Sequence, residues 1–118
     1  MPDANQDCLF CKILSGEISA DIVFESDMAI AFRDINAQAP THVLIIPRKH
    51  IATINDIDEA DQMIVGGLYL VASAIARDEG IAEDGYRVVM NCNAAAGQTV
   101  FHIHLHLLGG RALDWPPG

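Results

Sequence analysis

The sequence predicts a single α+β domain, spanning residues 1–118, that is built on an antiparallel sheet. Five short segments are rich in β-branched and aromatic residues, whereas only one segment carries a long helical repeat. The alternation of strands and helices that builds a parallel sheet is therefore missing. With 118 residues, 51% of them hydrophobic, the chain has the size of one domain and enough apolar side chains for a core.

The N-terminal half is predicted to hold one short helix and three strands. Residues 8–14 have the pattern of a short helix, and the segments 22–25 and 28–32 have the pattern of two strands joined by a tight turn. After a loop, the apolar run 41–47 predicts a buried strand. This strand is expected to end at its final residue, Pro47, because proline cannot extend a central ladder.

A long amphipathic helix is predicted from Asp58, a suitable N-cap, to about Glu79. Its apolar residues form two adjacent stripes: Ile64, Leu68, Val71, Ala72 and Ile75 in the first, and Met63, Gly67, Leu70 and Ala74 in the second. This band is wider than one packing surface needs. The pair Gly66-Gly67 also destabilises the helix by about 1 kcal/mol per residue relative to alanine. A second backbone close to the helix explains both features, so we favour a dimer contact over burial within one chain.

The C-terminal half is predicted to add two strands, at 85–91 and 100–110, with a flexible loop at 93–97. In the last strand three histidines alternate with apolar residues, in the run Val100-Phe101-His102-Ile103-His104-Leu105-His106-Leu107. Alternate residues of a strand share one face of the sheet. The pattern therefore predicts a row of three imidazoles on one face and, on the other, four core residues: Phe101, Ile103, Leu105 and Leu107.

Charge and hydropathy narrow the classes of partner. The formal net charge is −9 and no basic stripe is visible, so we expect no binding to nucleic acid. A phosphate-bearing small molecule is compatible with this charge, since N–H groups, hydroxyls and histidines can bind phosphate locally. No apolar run approaches the roughly 20 residues of a membrane span. The polar segment 1–7 fits neither a signal nor a transit peptide and predicts disorder, and the expected location is the cytoplasm.

The histidine row allows three interpretations. The imidazoles can satisfy local polar groups, they can bind a catalytic zinc ion, or one of them can attack phosphorus as a nucleophile. Three histidines in register make the first interpretation the weakest. Just upstream, Gly97-Gln98-Thr99 offers N–H groups, an amide and a hydroxyl where phosphate oxygens would lie, as the third interpretation requires.

A Cys-x-x-Cys pair, Cys8 and Cys11, lies near the N-terminus. In a redox enzyme such a pair opens a helix after a strand of a βαβ unit, and that context is missing here. Two thiolates at this spacing can instead supply half of a tetrahedral zinc site. The two remaining ligands of such a site have to come from elsewhere in the chain.

The segment 97–106 resembles the active-site signature of the histidine triad (HIT) family. Other segments match in the family's order: 31–35, 39–47, 85–87, Asn91 and Trp115-Pro116-Pro117-Gly118. Together they resemble the Hint branch, the adenosine phosphoramidases, from about Cys8 to the C-terminus. The resemblance implies a five-stranded antiparallel HIT-like sheet with one long and one short helix. It also implies a homodimer with one continuous sheet, in which the tail 111–118 lies near the partner's active site.

The resemblance further implies the hydrolysis of adenosine 5′-phosphoramidates to AMP and an amine through a nucleotidyl-histidine. In this reaction His104 is the nucleophile, His106 contacts the phosphate and assists proton transfer, and His42 supports the nucleophilic strand. Thr99 occupies a position that is often serine in this branch. The hydroxyl is retained, but the added methyl group restricts its rotation. We therefore expect activity to persist with an altered rate or amine preference.

The same resemblance implies the nucleotide contacts and the metal ligands. Asp34 would accept from the ribose hydroxyls, Ile35 would line the base pocket, and Asn91 would contact ribose or phosphate. The phosphate would lie against Gly97, Gln98 and Thr99, beside His104 and His106. HIT proteins with a structural zinc ion carry its ligands at the positions of Cys8, Cys11, His50 and His102. Two alternatives to the phosphoramidase are a dinucleoside polyphosphate hydrolase of the Fhit type and a nucleotide-binding or scaffolding module.

Overall fold

The computed structural model describes residues 7–118 and confirms the α+β class. Its helices and strands are α1 (Leu9–Leu14), β1 (Ile22–Glu25), β2 (Ala29–Arg33), β3 (Thr41–Pro47), α2 (Gln62–Asp78), β4 (Tyr86–Val89) and β5 (Leu105–Gly109). Short 3-10 turns lie at Ile54–Asp56, Glu59–Asp61 and Ala94–Ala96. The predicted disorder of segment 1–7 concerns residues that, apart from Asp7, lie outside the described part.

The five strands form one antiparallel sheet in the order β1-β2-β3-β5-β4. All seven residues of β3 are buried, as expected for an apolar strand in the centre of a sheet. The pairing of β3 with β5 places His42 opposite Leu108 and Leu44 opposite His106. Because paired residues point to the same side, His42 and His106 are diagonal neighbours on one face.

The two faces of the sheet carry different layers. On one face, Val43 of β3 and Leu107 of β5 pack with Leu68 and Ile75 of α2 in the larger core cluster. On the other face, Leu44 of β3 packs with residues of α1 in a second cluster. The histidine pair of β3 and β5 therefore lies on the side of the short helix α1.

Helix α2 buries only one of its two apolar stripes. Leu68, Ala72 and Ile75 are buried against the sheet, whereas Met63 is 87% exposed and Leu70 is 74% exposed. A Cβ atom added at Gly66 or Gly67 would have no neighbour within 4 Å, so no other part of residues 7–118 approaches the helix closely there. The predicted N-cap Asp58 caps the 3-10 turn Glu59–Asp61, and α2 follows directly.

The last strand is shorter than its alternating pattern predicts. It begins at Leu105, so His102 and His104 precede the ladder, and the backbone N–H of Ile103 donates instead to the carbonyl of Ile51, at 2.7 Å. Ile103, Leu105 and Leu107 lie in the core as predicted. The prediction for Phe101 is wrong: it is 47% exposed, because the chain leaves the period-two geometry before the strand starts.

The structure also bears on membrane insertion. Across residues 7–118, neither helix combines the length and the apolar character that crossing a bilayer requires.

Candidate active site

His42 and His106 form a hydrogen-bonded pair across β3 and β5. The distance between Nε2 of His42 and Nδ1 of His106 is 2.9 Å. The backbone N–H of Gln38 donates to Nδ1 of His42, at 3.0 Å, so that nitrogen accepts and Nε2 carries the proton. Nε2 of His42 therefore donates to His106. In a neutral His106 ring the remaining proton then lies on its own Nε2.

Asp34 places a carboxylate beside this pair from the loop that follows β2. Its Oδ2 lies 3.3 Å from Nε2 of His42, and its Oδ1 accepts from the backbone N–H of Asn36, at 2.8 Å. The negative charge of Asp34 opposes the dominant effect of burial, which lowers the pKa of His42. The carboxylate thus faces the protonated nitrogen of His42 and can accept further hydrogen bonds.

His104 is buried and oriented by its own segment. Its Nδ1 donates to the backbone carbonyl of His102, at 2.8 Å. In the neutral ring this bond leaves the lone pair on Nε2. Burial lowers the pKa of His104, which favours the neutral ring. An imidazole with a fixed tautomer and a lone pair directed away from its anchor is suited to nucleophilic attack.

The neutral form of His106 is also favoured by its lowered pKa. Burial, with the neighbouring His104 and His42, lowers the pKa of His106 to about 4, against the opposing effect of Asp34. At neutral pH the ring is therefore uncharged, with Nδ1 engaged by His42 and the Nε2–H left to interact with a ligand.

The histidines open onto a pocket of about 500 Å³, within the usual range for small-molecule sites. Its polar lining includes Asp34, Thr99, His104 and His106, and its apolar lining includes Leu9, Phe10, Ile13, Phe32, Ile35 and Leu44. Ile35 is fully exposed at the rim. The pocket therefore has one apolar side, large enough for a flat ring, and one side with two imidazoles, a carboxylate and a hydroxyl.

Three of the residues expected to contact phosphate or ribose do not line this pocket: Asn91, Gly97 and Gln98. The Gln98 amide is buried and accepts from the N–H of Asn93, at 2.8 Å, while donating to the carbonyls of Ala52 and Val100. These bonds fold the predicted flexible loop into an ordered 3-10 turn at Ala94–Ala96. The side chain of Gln98 thus orders the loop before Thr99.

A second cluster brings together Cys8, Cys11, His50 and His102. Nδ1 of His102 lies 3.4 Å from Sγ of Cys8 and 3.6 Å from Sγ of Cys11. Nδ1 of His50 lies 3.3 Å from Sγ of Cys11 and 3.2 Å from Nδ1 of His102. A tetrahedral zinc ion separates two nitrogen ligands by about 3.3 Å, and nitrogen from sulfur by about 3.6 Å. The donor atoms therefore fit such an ion.

The cluster also has the outer contact that oriented metal ligands require. Nε2 of His102 donates to the backbone carbonyl of Pro47, at 2.8 Å, and this leaves the lone pair of His102 on Nδ1, facing the two sulfurs. The residue that ends β3 thus orients one donor of the cluster. The histidine row divides accordingly, with His102 turned to the cysteines and His104 and His106 turned to the pocket.

Phe10 is the main site residue that sequence reasoning missed. Its ring lies 5.0 Å from that of His104, between centroids, at an angle of 88°. Its place between Cys8 and Cys11 indicates a position near the cluster, but the contact with His104 depends on the fold and has no local signal in the sequence.

Comparison with known proteins identifies the family. A family model described as the HIT domain matches residues 15–113. The chain is 53% identical over 108 residues to the purine nucleoside phosphoramidase of Escherichia coli K12, which covers 92% of this chain and 91% of that one. The crystal structure of a HIT family hydrolase from Legionella pneumophila has a TM-score of 0.93 and 57% identity, over 95% of this chain and all of the other.

A more distant structure has the same fold. The histidine triad nucleotide-binding protein of Candida albicans has a TM-score of 0.80 and 31% identity, over 93% of this chain and 83% of that one. The matched residues 15–113 include Asp34, His104 and His106 of the pocket and also His42, which is hydrogen-bonded to His106. The chain therefore belongs to the HIT family.

Proposed function

We propose that this protein is a purine nucleoside phosphoramidase, which hydrolyses adenosine 5′-phosphoramidates to AMP and an amine. The observation that carries the proposal is the arrangement of His104, whose Nδ1 is occupied by a backbone carbonyl while the ring faces the pocket. The Escherichia coli relative, similar over nearly its whole length, is named for this activity.

The reaction begins with attack of His104 Nε2 on the α-phosphorus. A bond forms between nitrogen and phosphorus, the phosphorus–nitrogen bond to the amine breaks, and the amine leaves with that electron pair and takes up a proton. The charge that develops on the imidazole is stabilised by the carbonyl of His102, which accepts from Nδ1. Water then attacks the nucleotidyl-histidine, releases AMP and restores the free imidazole.

His106 and His42 bind and orient the phosphate. The Nε2–H of His106 donates to a phosphate oxygen or to the departing nitrogen, while His42 holds the ring through Nδ1. The Thr99 hydroxyl, at the same wall of the pocket, donates to a second phosphate oxygen. These neutral donors allow an acidic protein to bind a charged phosphate.

The nucleoside occupies the apolar side of the pocket. The base packs against Ile35 and its apolar neighbours, and the Asp34 carboxylate accepts from the ribose hydroxyls. Neither Gly97 nor Asn91 lines the pocket, so the phosphate contacts proposed for them require the segment 91–97 to shift on binding. Gln98 acts through the order that its amide gives to this loop.

We also propose a structural zinc ion bound by Cys8, Cys11, His50 and His102. The spacing of the donor atoms and the orientation of His102 by the Pro47 carbonyl support this assignment. The ion would supply a cross-link between α1, the segment after β3 and the segment before β5. Thiolate ligands require a reducing compartment, which favours the cytoplasm.

The biological unit we propose is a homodimer. The exposed stripe of α2, with Met63 and Leu70 and the open surface at Gly66 and Gly67, supports a close contact with a second copy. The edge strand β4 is then free to extend the sheet into the partner, and the tail 111–118 lies near the partner's active site.

Turnover of two substrate classes tests the activity. We expect rapid cleavage of adenosine 5′-phosphoramidate and much slower cleavage of diadenosine polyphosphates, with both rates abolished in His104→Ala. A preference for the polyphosphates would instead assign the Fhit-type activity. Binding of AMP without turnover of either substrate would indicate a nucleotide-binding module.

A further inference from the structure

Three groups contact the ring of His104, and two of them come from residues tied to the cysteine–histidine cluster. The carbonyl of His102 accepts from Nδ1, at 2.8 Å, and the ring of Phe10 lies nearly perpendicular to the imidazole, with 5.0 Å between centroids. The hydrogen bond alone leaves the imidazole free to swing about the N–H···O axis. The phenyl ring restricts that swing on one side, and the ring of His106 contacts the imidazole as well, at 4.9 Å between centroids.

Phe10 is itself held firmly. It is 3% exposed, and its ring packs on Phe32 with 5.5 Å between centroids and on His102 with 5.9 Å. It lies within α1 between the two cysteines, and Sγ of Cys8 caps this helix by accepting from the N–H of Cys11. Whatever orders the two sulfurs therefore orders the ring that contacts His104.

We propose that Phe10 is a positioning residue for the nucleophile, and that the Cys8/Cys11/His50/His102 cluster acts on catalysis through it. Only the kinetic test of this inference rests on the proposed function. Occupied by a metal ion, the cluster would join α1 to His102 and so hold Phe10 and the His102 carbonyl, which both contact the His104 imidazole. Without the ion, apolar packing and the weak sulfur–imidazole contacts of Cys8 and Cys11 would have to hold this geometry.

A role of Phe10 in nucleoside binding alone would have a different kinetic signature. Phe10 also lines the apolar side of the pocket, so a residue that only binds the nucleoside would change KM. A residue that aims the nucleophile changes kcat at saturating substrate, since misplacement of a reacting group lowers the rate of the chemical step. The split between the two constants therefore separates positioning from binding.

The variants are chosen on this basis. Phe10→Leu retains apolar bulk and removes the aromatic edge, whereas Phe10→Tyr retains the ring. We expect kcat to fall roughly 10- to 100-fold in Phe10→Leu, with a smaller change in KM, and to recover largely in Phe10→Tyr. The matched control is Ile46→Ala, a buried change in the same core cluster that does not line the pocket. If Phe10→Leu loses no more kcat than Ile46→Ala at equal thermal stability, the proposal is wrong.

A second readout does not depend on turnover. The ¹H–¹⁵N signals of the His104 imidazole, at constant pH, report both its tautomer and its mobility. In the zinc-loaded protein we expect sharp signals from one tautomer, with the proton on Nδ1, and in Phe10→Leu the same tautomer with broadened signals, because the ring swings about its bond to the His102 carbonyl. Zinc removal by a chelator should broaden the wild-type signals in the same way and leave those of Phe10→Leu nearly unchanged.

The outcomes of the two readouts are distinguishable. A protein that does not cleave phosphoramidates refutes the proposed function, while the imidazole spectrum still decides whether Phe10 orients His104. A protein that binds no zinc, or that loses zinc without a change in the His104 spectrum, refutes the role of the cluster.

Discussion

Replacing Leu70 by aspartate tests the proposed dimer on the exposed face of α2. Leu70 is 74% exposed, and full burial of a leucine side chain is worth about 2 kcal/mol, so its contact in a dimer contributes about 1.5 kcal/mol per protomer. A two-fold interface contains the residue twice, which gives about 3 kcal/mol, or roughly a hundredfold in Kd, before the cost of burying a carboxylate.

Sedimentation velocity over a concentration series measures this effect. We expect a dimer for the wild type and for Met28→Asp, a control whose apolar side chain is half exposed and lies outside α2. Leu70→Asp should dissociate at concentrations roughly a hundredfold higher than the wild type. A wild type that is monomeric throughout, or a variant that dimerises as tightly, would refute the assignment of this stripe to a second copy.

Three further predictions concern the pocket and the cluster. Burial lowers the pKa of His106 to about 4 in the folded protein, below its ordinary value of 6.5, so the unfolded chain binds more protons between these values. The free energy of unfolding therefore carries no penalty from His106 above about pH 6.5 and falls as the pH drops towards about 4. Urea unfolding at several pH values should show a shallower fall in His106→Gln than in the wild type. Equal slopes in the two proteins would contradict this prediction. Asp34→Asn should raise KM roughly 10- to 100-fold and abolish discrimination against 2′-deoxyadenosine phosphoramidate, since a hydrogen bond to a charged acceptor is lost; retained discrimination would place the ribose elsewhere. Cys11→Ser should lower zinc content and melting temperature together, whereas Cys92→Ser, outside the cluster, should change neither. Less than about a tenth of an equivalent of zinc in folded wild type, purified without chelator or metal-affinity tag, would contradict the zinc site.

A strand could be predicted correctly where the apolar residues of the sequence pattern are the ones that pack in the core. The strand at Thr41–Pro47 has the predicted bounds because a continuous apolar run that ends in proline has few alternatives. The same reasoning extended the last strand too far. Near His102 the side chains alternate because His102 contacts the cysteines and the Ile103 N–H donates to the Ile51 carbonyl. In the sequence, this alternation looks the same as that of a strand paired in a sheet.

The site could be predicted in its chemistry and less well in its contacts. Resemblance placed His42, His104 and His106 together, and the structure brings them together. The contact of Phe10 with His104 links residues far apart in the chain, so no local pattern predicts it. A phosphate contact of Gln98 is predicted because the run Gly97-Gln98-Thr99 lies just upstream of the histidines and resembles the family signature, but its amide is engaged by backbone groups that only the folded loop supplies.

The central claim is that His104 forms a covalent bond to the nucleotide. A single turnover of adenosine 5′-phosphoramidate, quenched in alkali because phosphorus–nitrogen bonds to histidine are acid-labile, allows the adduct to be located by mass spectrometry of peptides. We predict an adenylyl group on His104 within the first turnover, and neither adduct nor hydrolysis in His104→Ala. Hydrolysis that continues in His104→Ala, or an adduct on a different residue, would contradict it.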